Sequence, residues 1–170
     1  FVSKADREAE RLIKEELMGG RPTYGWQGEE TGSTPGADPT RRWIVDPLDG
    51  TREFIKKNGE FTVNIALIEN GEPVLGVVYA PVMDWLLVGG RGLGAHWQRT
   101  GSSGAAVVAR AGNPLRVAAS RSHRDEKTQQ YLDRIGSVET YGLGSSLKFC
   151  KIATGEIDLY PRFGPTSEWD

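Results

Sequence analysis

The chain has 170 residues, of which 38% are hydrophobic and 26% charged, and its formal net charge is -2. This composition fits one ordinary globular domain, or a domain and part of another, and gives no reason to expect nucleic acid or an anionic membrane as a partner. The single Cys150 excludes an internal disulfide and fits a reducing compartment. No apolar run approaches the ~20 residues of a membrane span. The chain opens at Phe1-Val2-Ser3 without an initiator Met and stops at Trp169-Asp170, which reads as truncation at both ends.

Ser3-Lys4-Ala5-Asp6 looks like a helix start. Ala9, Leu12, Ile13 and Leu17 recur at helical spacing with Glu and Arg between them, and Gly19-Gly20 ends the helix. Tyr24 to Trp26 predicts a short strand, and Thr31 to Thr40, rich in Gly, Pro, Ser and Thr, predicts a surface loop. Trp43-Ile44-Val45 reads as a buried strand that stops at Pro47. From Glu60 to Glu69 the chain alternates, with Phe61, Val63, Ile65 and Leu67 on one face. Asn70-Gly71 signals a hairpin, with Pro73 to Tyr79 as the return strand. Asp84 to Val88 and Gly94 to Gln98 extend the meander, and Gly101 to Gly112 reads as a poorly ordered excursion.

The pattern changes near Asn113-Pro114. Strands at Leu115–Ala119, Val138–Tyr141 and Glu156–Tyr160 alternate with helices over Asp125–Ile135 and after Ser145-Ser146, which is an α/β pattern. The expected fold class is therefore α+β with an antiparallel sheet over residues 1–113, followed by the start of an α/β part over 114–170.

Chemistry concentrates at Asp46-Pro47-Leu48-Asp49-Gly50-Thr51. Two hard oxygen ligands on one turn suit Mg²⁺, and free N–H groups beside them suit phosphate. Taken alone, Asp-x-x-Asp-Gly is more often a plain turn or a structural cation loop than a catalytic site. Asp6, Glu29 and Asp170 could converge on it, although each has an ordinary reading as a helix first-turn acid, a solvated surface acid and a helix cap.

Gly28-Glu29-Glu30, the Asp46 to Thr51 run and Trp169-Asp170 together resemble the inositol monophosphatase superfamily of Mg²⁺-dependent, lithium-sensitive phosphatases. The stretches Arg52 to Ile55, Asn58 to Leu67, Ser120 to His123, Gly144 to Cys150 and Leu159 to Thr166 resemble its bacterial 3'(2'),5'-bisphosphate nucleotidase branch. The resemblance implies a layered αβαβα sugar-phosphatase fold lacking its first helix. It also implies removal of the 3'-phosphate of adenosine 3',5'-bisphosphate, a by-product of sulfate assimilation, to give AMP. Glu29, Asp46 and the Leu48 carbonyl would hold one Mg²⁺, and Asp46, Asp49 and Asp170 a second, with a third, weaker ion near Glu29. Asp6, Glu29 and Thr51 form the implied catalytic set, with Asp6 orienting Thr51 to position the attacking water. Asp49, Gly50, Thr51 and Asp170 would meet the phosphate, and Ser120, His123, Ser145 and Lys148 the nucleotide.

The readings of these last residues as surface or capping groups stay open, with Lys148 on an exposed helix face. The alternatives are a phosphatase of inositol monophosphate or another small sugar or polyol phosphate, and a non-catalytic metal- or nucleotide-binding protein. The implied setting is cytoplasmic, with peripheral association at the inner membrane known in the branch. The partner is a small phosphorylated nucleotide, and homodimers are common in the superfamily. With Asp170 as the terminal residue, the piece alone is expected to hold the second metal weakly.

Overall fold

Helix α1 (Lys4–Gly20) carries Asp6 in its first turn and passes into a tight exit where the Arg21 N–H donates to Leu17 O at 3.0 Å. Ile13, Leu17 and Met18 pack on Trp26, Trp43 and Val45 of the sheet. Leu12, expected on this apolar stripe, is instead exposed, while Glu10, expected among the polar residues, is fully buried. The computed structural model describes residues 4–105, 111–120 and 126–170.

The main sheet has eight strands: β1 (Gly25–Gly28), β2 (Gly32–Thr34), β3 (Arg41–Asp49), β4 (Thr62–Glu69), β5 (Glu72–Ala80), β6 (Trp85–Gly90), β7 (Gly94–Arg99) and β8 (Ser102–Ala105). Their order is β2-β1-β3-β4-β5-β6-β7-β8. It is a mixed sheet, since β1 runs parallel to β3 and the other pairs are antiparallel. The Asn70-Gly71 hairpin forms as expected, both residues having positive φ (53 and 81) as a type I′ turn requires.

Two expected loops contain strands. β2 lies within the Thr31–Thr40 stretch and pairs with β1, and β8 opens the Gly101–Gly112 excursion and pairs with β7. Edge pairing uses only backbone groups, so small polar side chains that give no hydrophobic signal do not prevent it. Residues 106–110 of that excursion lie outside the described residues.

The second part comprises β9 (Leu115–Ser120), α3 (Glu126–Ile135), β10 (Val138–Leu143) and α4 (Leu147–Ala153), with β9 and β10 parallel as the βαβ pattern requires. The strand expected over 156–160 is reduced to an isolated bridge between Val117 and Leu159. Backbone bonds flank the bridge, Ala118 N–H donating to Leu159 O and Asp158 N–H to Arg116 O, both at 2.8 Å, and side-chain bonds add to them. Asp158 accepts hydrogen bonds from Arg116 N (2.8 Å), Nε (3.1 Å) and Nη2 (2.7 Å), and this pairing holds its carboxyl well below the usual range. Pro161 then has no N–H with which to extend a ladder.

Trp85, Ala80, Leu147 and Cys150 form a core cluster that packs α4 against β5 and β6. Among the described residues no helix is long and apolar enough to cross a membrane.

Candidate metal centre

The central strand does not stop at Pro47, as the sequence suggests, but runs on to Asp49 through a bulge. Asp46 pairs with Asn64 and Asp49 with Thr62, so β3 carries one residue more than its partner between them. A bulged residue needs no ladder donor, which is how Pro47 is accommodated in a central strand. The extra residue bends the chain and re-aims Asp49 toward Asp46. The Leu48 N–H donates to Asp46 Oδ1 at 2.9 Å and locks the turn. Gly50 then takes φ 94, ψ 45 and starts the short helix α2 (Thr51–Ile55). A Cβ at Gly50 would lie 3.2 Å from both Glu60 O and Ser145 Cβ, so conformation and close packing both require glycine.

Asp46, Asp49 and Asp170 each bring one carboxylate oxygen to within 4.8 Å of the others. Glu29 meets Asp46 by a side-chain hydrogen bond, so Asp46 is shared between two carboxylate groups. The Glu29 N–H donates to Val45 O at 3.1 Å, fastening the loop after β1 to β3. Asp170 is tied down in two ways. Its Oδ2 accepts the Ser167 N–H at 2.9 Å, and neighbouring Glu168 accepts from Gln27 Nε2 at 2.8 Å.

Burial, reinforced by Asp49 and Glu29, pushes Asp46 up to about 9. Burial and Asp170 push Asp49 up to about 6, against the opposing pull of Lys148 and the Ser146 N–H. Asn64 Nδ2 lacks a hydrogen-bond partner of good geometry but lies close enough to Asp49 to lower its carboxyl. Burial also raises Glu29. An all-oxygen donor set with surplus negative charge is the chemistry that a hard divalent cation satisfies, so the residues present fit such an ion.

A pH dependence follows for the cation-free protein. The folded Asp46 keeps its proton to about 9, whereas an unfolded aspartate releases it near ~3.9. Between these values the unfolded state binds fewer protons, so stability falls as pH rises. Melting curves in chelator should show Tm decreasing from pH 5 to 8, with a shallower slope in Asp46→Asn and with added Mg²⁺. A wild-type slope identical to that of the variant would contradict this.

Asp6 is buried at the start of α1 and lies on the Glu29 side, close enough to raise the carboxyls of Glu29 and Glu30. Thr51, half-buried, is the first residue of α2, following Asp49 and Gly50. Lys148 is not on an exposed face. It is buried, and its Nζ donates to Ser145 O at 2.5 Å and lies 5.1 Å from the centre of the Tyr160 ring. Burial lowers its ammonium while Asp49 supports it. Ser145 holds a left-handed conformation (φ 46), and its Oγ accepts the Leu147 N–H at 3.3 Å. Lys148 and Ser145 therefore stand on the Asp49 side of the centre. Ser120 ends β9 opposite Leu143. Its side chain and all of His123 lie outside the described residues.

Sequence reasoning missed a buried polar chain behind Asp49. Ser146 Oγ donates to Asn64 Oδ1 at 2.7 Å and therefore accepts from Thr62 Oγ1 at 2.7 Å. Thr62 and Asn64 are the polar positions of an alternating strand and read as solvent-facing. The signal that could have found them is their register opposite Asp49 and Asp46. Gly144 makes the closure possible. Its N–H donates to Glu60 Oε2 at 2.9 Å, and a Cβ there would lie 2.5 Å from Glu53 Cγ.

Comparison with known proteins follows the same lines. The sequence profile of the inositol monophosphatase family matches residues 1–170. The 3'(2'),5'-bisphosphate nucleotidase CysQ of Salmonella typhimurium is 54% identical over 130 residues, covering 76% of this chain and 52% of that protein. The inositol-1-monophosphatase of Rhizobium meliloti is 52% identical over 95 residues, 56% of this chain and 36% of that protein. The crystal structure of CysQ from Bacteroides thetaiotaomicron superposes with a TM-score of 0.84 at 39% identity, over 97% of this chain and 68% of that one. The chain thus spans about half the length of the curated nucleotidase it matches. With the profile matched throughout and the layered sheet-and-helix fold shared, the chain belongs to the inositol monophosphatase family.

Proposed function

We propose that this chain carries the metal-binding machinery of a Mg²⁺-dependent phosphomonoesterase that removes the 3'-phosphate of adenosine 3',5'-bisphosphate, giving AMP and phosphate. The observation that carries the reading is Asp46, a buried carboxylate on a bulge, shared between Glu29 on one side and Asp49 and Asp170 on the other. Similarity to proteins named 3'(2'),5'-bisphosphate nucleotidase supports the choice of substrate. Glu29, Asp46 and the Leu48 carbonyl would hold one cation, and Asp46, Asp49 and Asp170 a second. Bound there, the cations supply Lewis-acid charge to the phosphoryl oxygens and raise the acidity of water.

The chain's own residues do the rest. The Thr51 hydroxyl, working with Asp6, orients the attacking water and takes part in moving its proton. The water oxygen bonds to phosphorus as the bond to the 3'-oxygen breaks, and one proton of the water ends on the departing 3'-oxygen as the hydroxyl of AMP. The Gly50 and Thr51 N–H groups meet the transferring phosphate. Ser145 and Lys148 face the departing nucleotide, and the family resemblance assigns Ser120 and His123 to it as well. Purified intact protein should release phosphate from the bisphosphate with Mg²⁺ and stop on chelation. Undiminished release in chelator would refute the metal assignment.

A second reading, hydrolysis of inositol monophosphate, is favoured by the similarity to the Rhizobium meliloti protein. Lys148→Ala separates the two. Loss of one charged contact to the nucleotide is worth ~1.4 kcal/mol, about tenfold, so kcat/KM on the bisphosphate should fall about tenfold more than on a small phosphate ester. Equal losses would limit the role of Lys148 to supporting Asp49.

A further inference from the structure

Glu10 is the least expected residue in the core. It sits on α1 one turn after Asp6 and is 0% exposed. A buried carboxylate is costly unless its oxygens are fully hydrogen-bonded. Those of Glu10 are bonded almost entirely by one short loop. Oε2 accepts the Glu30 N–H at 2.8 Å, and Oε1 accepts the Thr31 N–H at 3.0 Å together with the Thr31 hydroxyl. The Thr31 hydroxyl oxygen in turn accepts Trp26 Nε1 at 3.1 Å, which connects the loop to the aromatic core.

The residues held in this way directly follow Glu29. On the other side of Glu29, the chain approaches Glu10 so closely that a Cβ on Gly28 would lie 2.2 Å from Glu10 Oε1. Glu29 is thus fixed from three directions: Gly28 against Glu10, its own N–H on Val45 O, and Glu30 and Thr31 on the Glu10 carboxylate. An apolar side chain at position 10 could fill the core, but it could not accept these backbone donors.

We propose that Glu10 is a positioning residue for the cation centre, acting as a strut that holds the Gly28–Thr31 loop so that the Glu29 carboxylate stands against Asp46. The proposal rests on the metal reading above. It assigns Glu10 no contact with cation or substrate. Its effect is to preorganise a ligand whose partly exposed side chain would otherwise sample many positions.

The test is calorimetric titration of Mg²⁺ into the intact protein, well below every Tm, for wild type, Glu10→Gln, Gly28→Ala and Thr31→Val. Ile13→Ala, which destabilises the same helix without removing a hydrogen bond to the loop, is the control. Removing an outer-shell partner typically weakens a metal site by 10–100-fold. Glu10→Gln and Gly28→Ala should weaken Mg²⁺ binding at least tenfold, Thr31→Val less, and Ile13→Ala not at all. In turnover, the same variants should raise the Mg²⁺ concentration needed for half-maximal rate more than they lower kcat at saturating Mg²⁺.

Wild-type affinity in folded Glu10→Gln would overturn the proposal, as would equal weakening in Ile13→Ala. If Glu10→Gln does not fold, Gly28→Ala and Thr31→Val decide by the same criterion. If wild type itself takes up no Mg²⁺, the metal reading fails and this inference falls with it.

Discussion

Asp46→Asn should abolish catalysis while leaving the fold intact. The substitution keeps the shape of the side chain and the acceptor for the Leu48 N–H, so the bulge is retained. It removes the one charge that both carboxylate groups share. On the proposed reading a neutral amide would be a poor ligand for both cations, and that loss would cost several kcal/mol in the transition state, or about 10³-fold or more in kcat/KM. In the absence of cations the variant should be at least as stable as wild type near neutral pH, because Asn need not take up the proton that burial beside Asp49 and Glu29 forces on folded Asp46. Activity and cation-free Tm measured on the same preparation check both halves. A fall in kcat/KM of less than tenfold, or a variant that unfolds, would contradict the role given to Asp46.

Trp26→Ala should cause the largest loss of stability. Trp26 is 1% exposed and lies at the centre of the cluster formed by Trp43, Val45, Ile13, Leu17 and Tyr24. Truncating a buried tryptophan costs about 3–5 kcal/mol through lost burial and the cavity left behind. For a chain of this size that corresponds to a fall in Tm of roughly 10 °C. The indole N–H also anchors the Thr31 hydroxyl. Trp26→Phe should therefore recover most of the packing but not the hydrogen bond. Thermal unfolding of the two variants separates these contributions. A loss below about 1 kcal/mol for Trp26→Ala would show that the cluster does not organise this half of the sheet.

Much of the architecture was legible because it depends on local signals. The Asn70-Gly71 hairpin, the α1 stripe of Ile13 and Leu17, and the βαβ unit after Pro114 each follow from turn chemistry or periodicity. The Asp46/Asp49 pair and its glycine were also visible as a turn that could hold a cation. What escaped depends on pairing across the sheet. Pro47 reads as the end of a strand, and only the register of Asn64 and Thr62 shows that it lies in a bulge. Glu10 and Lys148 read as solvated charges, because sequence spacing does not show that a loop's N–H groups or the Ser145 carbonyl wait opposite them. The short strands β2 and β8 carry no hydrophobic alternation and exist through backbone pairing at the sheet edges. Asp170 could be matched to the centre only by resemblance. In the structure its tie to Ser167, and that of Glu168 to Gln27, bring it there.

Phosphate release from adenosine 3',5'-bisphosphate and from inositol 1-phosphate, measured side by side on the intact protein with Mg²⁺, tests the central claim most directly. The account predicts a strong preference for the bisphosphate, lost on chelation. Preference for the inositol ester would keep the carboxylate centre but contradict the nucleotide assignment of Ser145 and Lys148, and no release from either substrate would contradict the phosphatase reading itself.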